Sequence, residues 1–260
     1  NFTDVWSAKY NGESVFFRTS HFLFRYYKDS VYGHEAKTGY EGGFIINRQY
    51  YFNIAKKGLH TFQNDSIVLA PYGDQFKDRY YFNYGIEGHN NKALLSSKNY
   101  LYWYNPAAKN SNNAVTRFKT EADEYFKKGR VHQYHKTTEN NYIIGTLANK
   151  GAVLIDSTGK TIKTINSTHG LLNGGVYNIN SDKQGNAWLT MSKGLANVEI
   201  SSPVTFWDER LGLEGSVEDI IKYEGTIYVA TAQGVYYLDE NNRFQPIGNF
   251  KRQCWDFLIY

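Results

Sequence analysis

The chain is poor in cysteine and proline, and it has no long apolar run. Cys254 is the only cysteine among 260 residues, which excludes an internal disulfide framework and a thiolate metal cluster. A lone cysteine fits a bacterial periplasm or cytosol better than a disulfide-rich animal ectodomain. The apolar runs span only a few residues, so the sequence offers no membrane-inserted helix.

Methionine is equally scarce, since Met191 is the only one and the chain begins with Asn1. We therefore expect a processed or excised piece of a longer protein, from which a signal peptide could have been removed. The excess of positive charge is small. The 29 Lys and Arg residues outnumber 25 Asp and Glu by a net +4 and are scattered, so we expect no nucleic-acid partner.

Aromatic side chains are what the chain has in excess. They make up 17% of the residues, with 23 Tyr, 16 Phe and 5 Trp. Aromatic and β-branched side chains fit the packed, pleated surface of a sheet. The composition therefore predicts a β-rich protein.

A pattern of strand, short turn and strand recurs six times. The two clearest copies are residues 226–238 and 186–198, where the turn ends in glycine. The equivalent turn position is occupied in the six copies by Phe22, Gly58, Tyr100, Gly151, Gly194 and Gly234. The spacing of about forty residues predicts a β-propeller of four-stranded antiparallel blades. A two-sheet sandwich also has short strands at regular intervals, but it has no reason to repeat its sequence.

The two best-preserved repeats predict four strands each. In the first, we expect strands at 176–180, 187–191, 195–199 and 204–207. In the second, we expect strands at 217–220, 227–230, 235–238 and 244–247. Since 187–191 is a middle strand whose face should meet the neighbouring blade, Trp188 is predicted to be largely buried.

The repeats predict one propeller domain over residues 1–260. Their approximate limits are 4–39, 40–79, 80–129, 130–174, 175–216 and 217–253, with the first strand of another repeat from 254. Six repeats with an extra first strand at Cys254–Tyr260 predict a seven-bladed ring whose C-terminal part is missing from this chain. We expect the polar stretch 105–128 to be a surface loop that could include a helical turn.

No catalytic or metal-binding motif is recognisable. The sequence has no nucleophile motif, no glycine-rich phosphate loop and no His-Glu-x-x-His sequence. His132 and His135 form the only close histidine pair, but side chains three apart on a strand face opposite sides and cannot share one metal. We expect no metal, no cofactor and no catalytic residue.

A candidate ligand site comes from the geometry of a propeller, whose first strands line a central channel. Aligning first strands on Val5, Val131, Val176, Val217 and Cys254 gives one equivalent position. It is occupied by Trp6, His132, Tyr177, Glu218 and Trp255. Such a ring could stack on a sugar and bind its hydroxyl groups. The alternative is that these side chains only fill the space between blades.

The residue pattern of one repeat is similar to the repeat of a known family. The residues concerned are Gly170-Leu171-Leu172 before Val176, then Asp182-x-x-Gly185-Asn186-x-Trp188-Leu189-Thr190, then Gly194-Leu195. They resemble the two-component regulator propeller repeat. Leu172 and Leu189-Thr190 depart from the Pro and Gly-Thr usual in that repeat, and the N-terminal half matches only in spacing and apolar positions.

The resemblance implies the extracytoplasmic sensor region of a Bacteroidetes-type two-component or hybrid sensor protein, in the periplasm or outside the cell. In such proteins a histidine kinase or a DNA-binding module lies on the cytoplasmic side, and the ligands are often carbohydrates. Fold and repeat by themselves do not transmit the identity of a ligand.

Three functions remain open at this point. The first is a non-catalytic sensor that binds a small molecule or glycan, alone or with a second copy or second propeller. The second is a surface scaffold of a secretion or adhesion system. The third is a propeller lyase or glycan-active enzyme, for which the only acid–base pair on offer is Glu218 with His132. We expect the sensor, with no turnover of glycans, phosphates or esters and no direct membrane insertion.

Overall fold

The computed structural model describes residues 4–77, 82, 84–148, 150–171, 174–200 and 207–258. Over these residues the fold is all-β, built from six antiparallel sheets whose strands pair in sequence order. This confirms the predicted fold class of antiparallel propeller blades. The number of blades in a closed ring stays a prediction. The chain forms two compact units, Asn1–Ser167 with Leu171–Ile200, and Thr168–Gly170 with Ser201–Tyr260.

The first unit holds five of the sheets. Its first three sheets are β1 Ser7–Tyr10, β2 Val15–Arg18, β3 Phe22–Tyr27 and β4 Ser30–Glu35; β5 Tyr40–Ile46, β6 Gln49–Ile54, β7 Gly58–Gln63 and β8 Ser66–Leu69; and β9 Gly85–Glu87, β10 Ala93–Ser97, β11 Tyr100–Tyr104 and β12 Val115–Phe118. The next two are β13 Val131–Lys136, β14 Tyr142–Thr146, β15 Ala152–Ile155 and β16 Thr161–Ile165; and β17 Val176–Ser181, β18 Ala187–Met191 and β19 Gly194–Val198.

The second unit holds the sixth sheet. Its strands are β20 Val217–Tyr223, β21 Thr226–Thr231, β22 Gly234–Leu238 and β23 Phe244–Pro246. Helices are short: α1 is Asp123–Gly129, and single 3₁₀ turns lie at Gly73–Phe76, Ser111–Asn113, Ser167–His169 and Glu209–Leu211. In the described part of the chain, no helix has both the length and the apolar character needed to cross a membrane.

The repeated turn position marks the same place in every sheet. Phe22, Gly58, Tyr100, Gly194 and Gly234 each begin the third strand of their sheet, and Gly151 directly precedes β15. The glycine positions need a backbone conformation that other residues rarely adopt. Gly58 and Gly151, for example, have φ angles of 96° and 77°.

The core of the first unit lies between consecutive sheets. Phe16 and Leu23 of the first sheet pack with Tyr50 of the second. The same arrangement joins the second sheet to the third around Phe44, the third to the fourth, and the fourth to the fifth. In the second unit, Val229 packs in a smaller cluster of its own sheet. Sheets that are apolar on both faces are the physical requirement for this stacking.

Trp188 is not buried, contrary to the prediction, because 40% of its surface is exposed. On a strand, side chains alternate between faces, and Ala187, Leu189 and Met191 take the face that packs against the fourth sheet. Trp188 therefore lies on the opposite face. There its indole Nε1 donates a hydrogen bond to a carboxylate oxygen of Asp182 at 3.1 Å.

Residues 254–258, predicted to begin another first strand, join no ladder among the described residues, and the further repeat itself stays a prediction. Cys254 donates to the carbonyl of Thr231, and Phe257 donates to the carboxylate of Asp219. In the stretch 105–128 the expected helical turn is present as α1, whereas strand β12 was not predicted.

The predicted strands of the fifth and sixth sheets agree with the structure to within a few residues, except for the strand at 204–207. That strand lies outside the described residues apart from Trp207, whose indole donates to the carbonyl of Asn242 at 3.3 Å.

Candidate ligand-binding site

The first strands of the second to fifth sheets lie next to one another. β5 contacts β9, β9 contacts β13, and β13 contacts β17. A parallel bridge between Gly43 and Tyr84 shows that β5 and the chain entering β9 run in the same direction. Side chains at equivalent positions of these strands are therefore brought to one place, as the propeller geometry requires.

Three of the predicted site residues occupy the same kind of backbone irregularity. The pairing register slips at His132 in β13, at Tyr177 in β17 and at Glu218 in β20. Each slip is a β-bulge, which leaves one residue out of the ladder and re-aims its side chain. The sequence alignment thus identified a position that is structurally special, although nothing in the sequence signalled the bulge itself.

Aromatic rings from three successive sheets form a row, which we call the aromatic row: Tyr84, His132 and Tyr177. The rings of Tyr84 and His132 are 5.1 Å apart at an interplanar angle of 80°. Those of His132 and Tyr177 are 6.2 Å apart at 88°. These are edge-to-face contacts, the favoured geometry of aromatic pairs. Tyr177, at the end of the row, is 50% exposed and open to a ligand.

The central ring of the row is a neutral imidazole at neutral pH. Burial, and then the nearby charge of Arg130, lowers the pKa of His132 below its usual 6.5. A neutral imidazole offers one nitrogen as donor and the other as acceptor, the combination that suits a hydroxyl group. His135, whose pKa burial also lowers, instead meets the hydroxyl of Ser181 at 2.9 Å.

A cavity of about 150 Å³ adjoins the aromatic row. Tyr84, His132 and Tyr134 line it, and Lys98, Asn99 and Arg130 add polar groups. These residues come from the chain entering β9, the β10–β11 turn, the end of α1 and β13. In the described part of the chain, no group of three metal-ligating side chains gathers here or elsewhere.

Trp6 is not part of the aromatic row. It is 55% exposed and precedes β1, where its N–H donates to the carbonyl of Arg18 at 2.8 Å. The guanidinium of Arg18 lies 5.6 Å from the centroid of the Trp6 ring, a cation–π contact. Trp6 thus covers a buried arginine.

Glu218 and Trp255 belong to the second unit. A carboxylate oxygen of Glu218 accepts a hydrogen bond of 3.5 Å from the amide of Gln253, and Trp255 is 68% exposed. The ring of five residues as a whole stays a prediction. What the structure brings together is His132 with Tyr177.

Sequence reasoning missed Glu41, Tyr84, Lys98 and Arg130. Glu41 lies at the register slip of β5, where Asn53 donates to its carboxylate and burial raises its pKa. Glu41 and Tyr84 continue the spacing of about forty residues seen between the aligned first strands, which could have found them. No sequence signal places Lys98 beside Arg130, since the two lie in different repeats.

Acidification should destabilise the first unit through His132. In the unfolded chain the imidazole has a pKa near 6.5, and in the fold its pKa is lower, so the unfolded state takes up the proton first as the pH falls. The stabilising contribution is complete above pH 6.5 and is lost as the pH falls towards the folded-state pKa. Urea unfolding at several pH values between 7.5 and 5.5 gives the free energy of unfolding at each pH. This free energy should fall less steeply with decreasing pH for His132→Asn than for the wild type. Identical slopes would contradict this prediction.

No protein-family model and no curated protein matches the sequence. Solved structures do match. The extracellular domain of a hybrid two-component system from B. thetaiotaomicron has a TM-score of 0.58 and 13% identity, over 96% of this chain and 36% of that chain. The extracellular domain of a one-component system from the same organism has a TM-score of 0.58 and 15% identity, over 92% and 34%. A catalytically inactive virginiamycin B lyase from Staphylococcus aureus, with quinupristin, has a TM-score of 0.55 and 13% identity, over 87% and 76%.

At these identities the likeness shows the fold. The chain spans about a third of the length of the two sensor structures. Extracellular domains of two-component systems are the kind of protein that the sequence resemblance predicted, and the lyase shows that an enzyme can share the architecture.

Proposed function

We propose that the chain is a non-catalytic, ligand-binding part of an extracytoplasmic sensor, and that it binds a carbohydrate at the aromatic row. The observation that carries the proposal is the convergence of Tyr84, His132 and Tyr177 from three sheets, with Tyr177 half exposed. Aromatic faces stack on sugar rings, and the neutral imidazole of His132 exchanges hydrogen bonds with hydroxyl groups.

The likeness to extracellular domains of two-component systems supports the sensor and its place outside the cytoplasm. On this proposal the parent protein carries a histidine kinase or another output module on the cytoplasmic side. A second copy of the chain or a second propeller is the partner through which ligand binding would be transmitted.

Removing the exposed ring of the row should weaken glycan binding about tenfold, which corresponds to roughly 1.4 kcal/mol. The variant is Tyr177→Ala, and the measurement is calorimetry on the glycans that the wild type binds in a screen. Tyr32→Ala is the matched control, because Tyr32 is also 50% exposed but lies on β4, away from the row. If Tyr177→Ala binds as the wild type does, the row is not the site, and the double variant of Tyr177 and Trp255 tests the predicted ring. A wild type that binds no glycan contradicts the carbohydrate function.

The lyase likeness keeps one alternative open, an enzyme on the same architecture. Within the described first unit, His132 is the candidate acid or base at the row, and its aromatic neighbours supply no carboxylate partner. Turnover of a glycan or ester by the purified chain, abolished by His132→Asn, would favour the enzyme over the sensor.

A further inference from the structure

The cavity beside the aromatic row has a buried floor and a charged mouth. Phe82 and Tyr134 form the floor, with 1% and 4% of their surfaces exposed. Lys98 and Arg130 stand at the mouth and are exposed. A volume of about 150 Å³ is smaller than the pockets of drug-sized ligands, so it suits one end group or one sugar residue of a longer ligand.

The charged residues that line the cavity are all basic. Its described lining includes the two cations and His132, the amide of Asn99 and the hydroxyl of Ser96, but no carboxylate. Three other arginines form ion pairs with aspartate: Arg25 with Asp65, Arg117 with Asp123 and Arg210 with Asp208. Among the described residues, neither Lys98 nor Arg130 has such a partner. An anion in the cavity would therefore meet two cations that no carboxylate of the described chain already occupies.

The backbone has a defined conformation at both Lys98 and Arg130. Lys98 and Asn99, with φ angles of 51° and 64°, form the tight turn that joins β10 to β11. Arg130 has a φ angle of 61°, a conformation that is strained for a residue with a side chain. It is held there on both sides, since its N–H donates to the carbonyl of Phe126 at 3.0 Å and its carbonyl accepts from Leu147 at 3.1 Å. Strained positions held in this way cluster at ligand sites.

We propose that this cavity binds the carboxylate or sulfate group of an acidic sugar, with Lys98 and Arg130 as its counter-ions. The proposal rests on the proposed function, because the sugar ring would then lie against His132 and the aromatic row that the cavity adjoins. Arginine pairs with carboxylate and sulfate through two parallel N–H bonds, and lysine adds a point charge.

The test compares two probes that differ only in the acidic group, glucuronate and glucose, titrated into the isotope-labelled chain and followed by NMR. We expect glucuronate to bind at least tenfold more tightly than glucose. The double variant Lys98→Gln with Arg130→Gln should lose at least tenfold in affinity for glucuronate and little for glucose. Glucose 6-sulfate, titrated in parallel, distinguishes sulfate from carboxylate.

The matched control is Lys128→Gln with Lys193→Gln, which removes the same charge from two exposed lysines outside the cavity. It should bind glucuronate as the wild type does. Arg130→Lys keeps the charge and should restore part of the affinity, which separates lost binding from lost folding; circular dichroism checks the fold of each variant.

The outcomes separate this inference from the proposed function. Equal binding of glucuronate and glucose, unchanged in the double variant, overturns the anion site and leaves the carbohydrate sensor standing. Charge-dependent glucuronate binding that Tyr177→Ala does not alter supports the anion site while contradicting the aromatic row. If neither acidic probe binds the wild type, the anion site is overturned, and the glycan screen then decides the sensor separately.

Discussion

Truncating Phe44 to alanine should lower the free energy of unfolding of the first unit by about 3–5 kcal/mol. Phe44 is fully buried between the second and third sheets. Its ring centroid lies 5.4 Å from that of Tyr51, 5.5 Å from that of Phe82 and 6.0 Å from that of Tyr104. Tyr51 and Tyr104 are held in β6 and β11, and Phe82 is itself buried, so these rings cannot simply collapse into the space, and the cavity adds to the lost hydrophobic burial.

Urea unfolding of the wild type and of Phe44→Ala measures this effect. Trp188→Ala is the control, since it also removes an aromatic ring from a strand of the same unit but one that is 40% exposed. It should cost less than Phe44→Ala, because the Trp188 ring is already partly in water and its removal leaves no enclosed cavity; the hydrogen bond to Asp182 is lost as well. Similar losses in the two variants would contradict the packing of the second sheet on the third.

Gly151→Ala should destabilise the first unit by about 3 kcal/mol. Gly151 has a φ angle of 77°, which alanine adopts only with strain. In addition, an added Cβ would lie 2.1 Å from the carbonyl oxygen of Ile165. The carbonyl of Ile165 belongs to the last residue of β16, and the carbonyl of Gly151, just before β15, accepts a hydrogen bond from the N–H of Thr146 at 2.9 Å. The backbone must therefore shift to relieve the contact.

Gly185→Ala separates strain from contact. Gly185 has a similar φ angle of 86°, but an added Cβ would meet only the hydroxyl of Thr138 at 3.7 Å, an ordinary contact. This variant should lose about 1–2 kcal/mol, the cost of the backbone conformation alone. Chemical unfolding monitored by tryptophan fluorescence compares the two. If both variants lose the same free energy of unfolding, the close approach of the Ile165 carbonyl does not disfavour a side chain at position 151.

The fold could be predicted because the repeated glycine positions have a backbone requirement. At Gly58 and Gly151 the chain needs a positive φ angle at the start of the third strand, and the sequence shows this directly. Strand β12 was missed because only Val115 and Phe118 of its four residues are apolar, in a polar surrounding. The burial of Trp188 was predicted wrongly because Ala187, Leu189 and Met191 form the buried face of this strand, and Trp188 lies on the other face.

The site was predictable only in part, for a different physical reason. His132 and Tyr177 follow from the alignment of first strands, since a repeat places equivalent residues side by side. Lys98 and Arg130 do not follow from it, because one lies in a hairpin turn and the other at the end of a helix. Both line the same cavity because two different sheets stack, and the pattern of a single repeat does not predict how they stack.

The order of the strands has a consequence for how the chain acquires its structure. Every described ladder joins strands that are neighbours in sequence, so no sheet has to wait for a distant segment. Short loop closures cost little entropy and favour rapid folding. A chain that leaves the ribosome from its N-terminus can therefore complete one sheet after another, and within the first unit each new sheet finds the apolar face of the preceding one already formed. The same locality predicts that a destabilised sheet opens without first disrupting the hydrogen bonds of the next.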